Sequence, residues 1–313
     1  MDRIMIKFLS ILLTLSLPFG IFSCGSSERV EPKSKTNSPP VIRSVTILPE
    51  NPTRENDLGV TVQGHDPDNN PITYSYQWMK NGEEIVGENK SNLKGGNFEK
   101  GDLIQVRVTP SDGKAEGRPM LSDAVKILNS PPVIQEVRIE PKVAKVGDNL
   151  KAHIKSFDAD RDFIYFIYQW EKNGVVLSEE RGEVLTGNQF KKGDSITVTV
   201  TPDDREVMGR KKKSEPIVVI NSPPYIISSP PPSAEGGKYF YQVKTFDPDD
   251  DPITYAITSG PKEMTIDKKT GLVQWEIKTG EKGTYPVEIE VYDKEGANCK
   301  QRFTLSVEIS PQR

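Results

Sequence analysis

The chain has 313 residues, 35% of them hydrophobic and 27% charged, with 25 prolines and 24 glycines. That length holds about two or three ordinary domains, and so many chain-breaking residues suit short strands between turns better than long helices. A formal charge of −4, from 41 basic and 45 acidic residues, excludes a default nucleic-acid binder, and two cysteines cannot staple several domains.

At the amino terminus, Arg3 and Lys7 precede an apolar run from Phe8 to Phe22, the charged-then-apolar order of a secretory signal. The run ends in Ile21-Phe22-Ser23-Cys24-Gly25, which resembles the lipobox of bacterial lipoproteins. The resemblance implies a signal peptide over residues 1–23 and a lipid on the sulfur of Cys24. It also implies outer-membrane sorting, because Gly25 rather than Asp follows the cysteine. Residues 24–36 are rich in Ser, Lys and Glu and read as a flexible tether. No interior segment reaches the roughly 18 apolar residues needed to cross a bilayer.

A phrase then occurs three times at intervals of 92 residues: Asn37-Ser38-Pro39-Pro40, Asn129-Ser130-Pro131-Pro132 and Asn221-Ser222-Pro223-Pro224. Solenoid repeats are typically about 20–50 residues long, whereas a β-sandwich needs about 100, so the period marks domains. The expected units are 37–128, 129–220 and 221–313, joined by stiff, extended Pro-Pro linkers. In the first two, Tyr76-Gln77-Trp78 answers Tyr168-Gln169-Trp170, and Lys100-Gly101-Asp102 answers Lys192-Gly193-Asp194. Ile104, Val106 and Val108, like Ile196, Val198 and Val200, alternate with polar residues and predict half-buried strands. Asn81-Gly82 and Asn173-Gly174 predict hairpin turns. Trp78 and Trp170 are assigned to the core, with an exposed aromatic for sugar or protein binding as the alternative.

The third unit diverges in detail. Tyr285, Val287, Ile289 and Val291 share one face, a turn falls near Asp293-Lys294-Glu295-Gly296, and Phe303, Leu305, Val307 and Ile309 return as a closing hairpin. Pro286 lacks an amide donor and predicts an edge strand or a bulge. Asp247-Pro248-Asp249-Asp250-Asp251-Pro252-Ile253-Thr254-Tyr255, Thr270-Gly271-Leu272-Val273-Gln274-Trp275 and Val291-Tyr292-Asp293 are similar to the immunoglobulin-like and dystroglycan-type cadherin-like domains of bacterial surface proteins. The first two units share Asp66-Pro67-Asp68-Asn69-Asn70-Pro71-Ile72-Thr73-Tyr74 with that pattern. The expected fold is all-β: three tandem sandwiches behind a lipoprotein signal. The resemblance implies adhesion, carbohydrate association or spacing at the cell surface, with no catalytic centre.

Each unit carries an acidic run: Asp66 and Asp68; Asp158, Asp160 and Asp162; Asp247, Asp249, Asp250 and Asp251. One reading is turn chemistry, in which Asp bonds nearby backbone and Pro sets the angle. The other is calcium, best in the third unit through Asp247, Asp249 and Asp251 with Asp293 as an extra ligand, since calcium collects 6 to 8 oxygens. The linkers supply no carboxylate, and the positions where a helical calcium loop needs Glu hold Gln77, Gln169 and Thr258. Cys299 is expected at a turn or strand edge, and His65 and His153 are out of repeat register and make no metal pair. The basic run from Arg210 to Lys213 is expected to be a solvated loop.

No nucleophile elbow, zinc-protease helix or phosphate loop is present in the sequence. The expectation is a non-catalytic envelope lipoprotein that binds a protein or polysaccharide; the alternative is a spacer or assembly component, with a glycan-active enzyme more remote.

Overall fold

The computed structural model describes residues 36–308, which form strands and turns with no helix among them. The described residues build three hydrophobic cores, one around Trp78, one around Trp170 and one around Trp275. Strand pairing stays within residues 41–128, 133–220 and 225–308, so the architecture is a tandem row of β-sandwiches.

In the first sandwich, Val41–Leu48, Leu58–His65 and Asn92–Leu93 form one sheet. Thr73–Lys80 and Leu103–Ser111 are the long strands of the other, extended by three two-residue strands. Because side chains alternate between faces with a period of two, Ile104, Val106 and Val108 all turn inward and are fully buried. They close on Ile42, Ile47, Leu58 and Leu93 from the facing sheet. Trp78 lies opposite Val106, and 92 residues later Trp170 lies opposite Val198, so the duplicate reproduces the register as well as the sequence. Both tryptophans are in the core, as expected, and each indole N–H donates to a loop carbonyl at 2.9 Å, Lys90 O or Gly182 O. That satisfies the one polar group of an otherwise apolar side chain. Asn81-Gly82 and Asn173-Gly174 take positive φ at both residues, the conformation that a tight hairpin turn between twisted strands requires.

The first strand of each duplicate changes sheets. Past Leu48, Thr53 bridges Leu128 in parallel, and past Glu140, Ala144–Lys145 runs parallel to Val219–Ile220. The last strand thus ends beside the first, at the edge from which the next linker departs.

The third sandwich sets Lys238–Gln242, Leu272–Glu276 and Thr265–Ile266 against Thr254–Ser259, Lys282–Tyr292 and Asn298–Glu308. The closing hairpin pairs Lys282–Tyr292 with Asn298–Glu308, and Val287, Ile289 and Val291 are buried between the sheets. Its first long strand is central rather than an edge strand, yet the logic of Pro286 holds locally. Pairing with Thr254–Ser259 stops at Glu288, after a register shift between Ile257 and Ser259, so Pro286 lies beyond the end of that neighbour.

Candidate functional site

The acidic runs cap the end of each sandwich that meets the preceding linker, and they are built as turns. Asp66 Oδ1 accepts the N–H of Asp68 and Asn70 at 2.8 and 3.0 Å, Asp158 Oδ1 those of Asp160 and Asp162 at 2.8 and 3.2 Å, and Asp247 Oδ1 those of Asp249 and Asp251 at 2.9 and 3.2 Å. A short acceptor of this kind lets the chain reverse through a left-handed residue, here Asn69, Arg161 and Asp250 at φ of 62°, 67° and 60°. The turn reading of these residues is what the structure shows.

The second carboxylate of each run reaches back to the linker. Asp68, Asp160 and Asp249 accept the backbone N–H of Ser38, Ser130 and Ser222 at 2.7, 2.5 and 2.5 Å. Beside them, Asn129 and Asn221 donate side-chain N–H to Asp204 Oδ2 and Asp293 Oδ2 at 2.7 and 2.6 Å. Burial alone would raise the pKa of Asp204, but hydrogen bonds from Val207, Asn129 and Glu206 outweigh it and hold the carboxyl below the usual range. The same balance acts on Asp293, through Asn221, Glu295 and Ala297. The carbonyls of Pro40 and Pro132 lie against Gly117 and Gly209 so closely that a Cβ there would sit 1.9 and 1.8 Å from the carbonyl oxygen. At the second sandwich Asn129, Ser130 and Pro132 therefore each have a seat on the unit they introduce.

A lysine from the preceding sandwich completes each junction. Lys100 stands in the turn before Leu103–Ser111, and its ammonium donates to Asn129 Oδ1 at 2.9 Å, Asp162 Oδ2 at 2.5 Å and Glu206 Oε1 at 2.7 Å. Lys192, its duplicate, donates to Asn221 Oδ1 and Glu295 Oε1 at 2.8 Å each and to Asp251 Oδ2. Asp162 and Glu206 push the Lys100 ammonium well above the usual lysine range, and Asp251 and Glu295 do the same for Lys192. Asp251 is held low by Lys192 and by Lys294, whose ammonium lies 3.0 Å from Oδ1. The first junction has one further tie, from Arg54 Nη1 to Ala159 O at 3.1 Å.

Carboxylate oxygens of Asp247, Asp249 and Asp251 lie within 4.8 Å of one another, as do those of Asp158, Asp160 and Asp162. Asp293 is not in that group; its Oδ1 accepts the N–H of Glu295 and Ala297 and its Oδ2 the Asn221 amide. Among the described residues, three oxygens per junction are buried without a protein partner: Asp158 Oδ2, Asp160 Oδ1 and Ser130 Oγ, and likewise Asp247 Oδ2, Asp249 Oδ1 and Ser222 Oγ. Calcium collects 6 to 8 oxygens, and the third carboxylate of each set already holds a lysine. Each acidic cup thus presents its unpartnered oxygens beside a bound ammonium, and Asp293 is spent on its own turn and on the linker.

Elsewhere, Cys299 is half-buried in the final strand, where burial pushes its thiol up. His65 and His153 lie in different sandwiches. Lys212 and Lys213 are exposed, but they form a two-residue strand against Thr199 and Val200 rather than a loop. One feature escaped the sequence reading. The middle sandwich carries Phe163, Tyr165, Ile167 and Val176 exposed on its surface, with the Arg205 guanidinium 3.9 Å above the Tyr165 ring. The first sandwich has Pro71, Thr73, Ser75 and Glu84 at those positions, so a comparison of the duplicates carries the signal.

Residues 217–308 match the family model described as Putative Ig domain. The chain is similar to three N-terminal domains of the bacteriophage RB49 Highly Immunogenic Outer Capsid protein, at 15% identity over 86% of this chain and 99% of that one, with a TM-score of 0.25. It is also similar to mouse cadherin-23 extracellular domains, at 14% identity over 85% and 99% with a TM-score of 0.26. Chicken CNTN1 FN1-FN3 domains give 13% over 86% and 99% with a TM-score of 0.27. No curated protein matches the sequence.

Proposed function

We propose that the chain is a non-catalytic binding rod of the bacterial cell envelope, anchored through lipid on Cys24 and presenting tandem sandwiches to a protein or polysaccharide partner. Tandem immunoglobulin-like domains are typical of adhesion and binding modules, and that is the architecture of the described residues. Cys24 lies outside those residues, so the anchor and the outer-membrane address rest on the lipobox resemblance alone.

The observation that carries the reading is the aromatic face of the middle sandwich. Phe163 is 73% exposed and packs edge-on to Tyr165 at 4.8 Å, next to Arg205 and Ile167. Clustered exposed aromatics beside an arginine are the side chains that dominate binding surfaces. The seated linkers favour a second reading, in which the row serves as a spacer or assembly component. Two variants separate the readings when cell-envelope or glycan binding is measured on the full chain. With Phe163→Ser combined with Ile167→Ser, loss of binding supports the middle face as the contact. Retained binding that disappears when residues 221–313 are removed moves the contact to the third sandwich, and retention in both favours the spacer. Membrane fractionation of Cys24→Ser tests the anchor: a variant that still sediments with membranes removes the lipid from the proposal.

A further inference from the structure

We propose that Lys100 and Lys192 are the structural cations of the two junctions, each bonding the third carboxylate of the acidic run in the following sandwich so that neighbouring sandwiches are locked together without a metal ion. This does not rest on the binding function proposed above. An ammonium group has three N–H donors and no acceptor, and each of these lysines meets three acceptors from three separate segments. For Lys100 they are the linker Asn129, Asp162 in the acidic turn and Glu206 in the turn that follows Ser195–Asp203. For Lys192 they are Asn221, Asp251 and Glu295 in the equivalent places. One side chain thus ties the preceding sandwich to the linker and to two turns of the next. Bonds between ionised partners are the stronger class of hydrogen bond, and two of the three at each lysine are of that kind.

The chain itself supplies comparison sites. In the first sandwich, which no described sandwich precedes, the acceptor positions of Asp162 and Glu206 are taken by Asn70 and Lys114, and the Lys114 ammonium lies 3.4 Å from Asn70 Oδ1. That cup is neutralised from within. In the third sandwich the turn Lys278–Glu281 repeats the geometry of Glu99–Asp102. Its Gly280 has φ of 86° against 91° for Gly101, and Lys278 N–H bonds Glu281 as Glu99 N–H bonds Asp102. At the lysine position it carries Thr279. Lysine and both acidic acceptors occur together at the two described junctions, and at neither of these two other positions.

The test is ¹⁵N relaxation on the full chain without its signal peptide, with divalent ions removed by EDTA and then with calcium added. The wild type is expected to show one common tumbling time for all three sandwiches in EDTA, unchanged by calcium. Lys100→Met combined with Lys192→Met is expected to lose that common tumbling in EDTA, while the amide shifts of Val106 and Val198 stay at wild-type positions and show the cores intact. Lys100→Arg with Lys192→Arg, which keeps the charge, should retain more coupling than the methionine pair. The proposal is overturned if EDTA uncouples the wild-type sandwiches and calcium restores them, or if the methionine variant tumbles as one body in EDTA.

Discussion

Gly209→Ala tests the seat of the second linker directly. A Cβ on Gly209 would lie 1.8 Å from Pro132 O and 2.8 Å from Pro202 Cγ. Both neighbours are held by ring or backbone, so no flexible side chain can swing away, and the linker carbonyl must retreat by more than 1 Å. Overpacking of this kind costs about 1–3 kcal/mol. If the linker lifts far enough to break the Ser130 N–H bond to Asp160 at 2.5 Å, a charge-assisted bond of about 1.5–3 kcal/mol goes with it. Hydrogen exchange read by mass spectrometry resolves the sandwiches separately. Taking overpacking alone, core peptides of the middle sandwich should exchange about 5- to 150-fold faster, since each 1.4 kcal/mol is tenfold. Peptides around Trp78 should not change. Gly59→Ala is the control: nothing lies within 4 Å of its Cβ, so the added methyl should be neutral or slightly stabilising. Equal exchange in the two variants would refute the seat.

Trp170→Ala removes the largest side chain of the middle core and leaves Gly182 O without its donor; it should destabilise that sandwich by about 3–5 kcal/mol and leave the first unaffected, and urea unfolding followed by hydrogen exchange would show a joint collapse if the cores were not separate. The N–H groups of Ala115 and Lys114, with a smaller electrostatic effect of the Lys114 charge, hold Asp112 down at about 2. Its folded value therefore lies below the unfolded value of about 3.9, and the stability it contributes is present above that pH and lost as pH falls from about 4 toward 2. Asp112→Asn should flatten the acid limb of the first sandwich's unfolding curve, and an unchanged limb would count against the turn. Cys299 should react slowly with a thiol reagent at pH 7.5 and rapidly in urea, because burial disfavours its thiolate; a free-thiol rate in the native chain would contradict its placement in the final strand.

What the sequence announced and what it withheld divide along a physical line. Alternation at Ile104-Val106-Val108, the two Asn-Gly turns and the buried tryptophans are local: one strand or one turn is enough to show them, and the 92-residue repeat shows them twice. The linker seats and the lysine contacts are not local. Asn129, Ser130 and Lys100 carry no hydrophobic period, and their partners lie 75, 30 and 62 residues away at Asp204, Asp160 and Asp162. Pro286 falls between these cases, since its missing donor predicted an edge and the structure supplies one only where the neighbouring strand stops. The acidic runs admitted both turn and calcium because the same carboxylate can cap a backbone N–H or face a cation. Only the placement of Lys100 and Lys192 shows which oxygens are already occupied.

The near-duplication of the first two sandwiches also bears on where a partner would sit. Their central strands pair in the same register, Tyr74 with Pro110 and Phe166 with Pro202, and turn the same residues inward, Ile104, Val106 and Val108 in one and Ile196, Val198 and Val200 in the other. A difference confined to the outward positions is therefore not needed to make the fold, because the first sandwich forms it with Thr73, Ser75 and Glu84 facing out. Tyr165, Ile167 and Val176 expose apolar surface that the fold does not require, and exposed apolar surface adds an association hazard while contributing little to the core. Replacing Phe163, Tyr165, Ile167 and Val176 by their first-sandwich counterparts should accordingly leave the middle sandwich as stable as before. If that replacement instead unfolds it, the aromatic face belongs to the core's support and not to a partner.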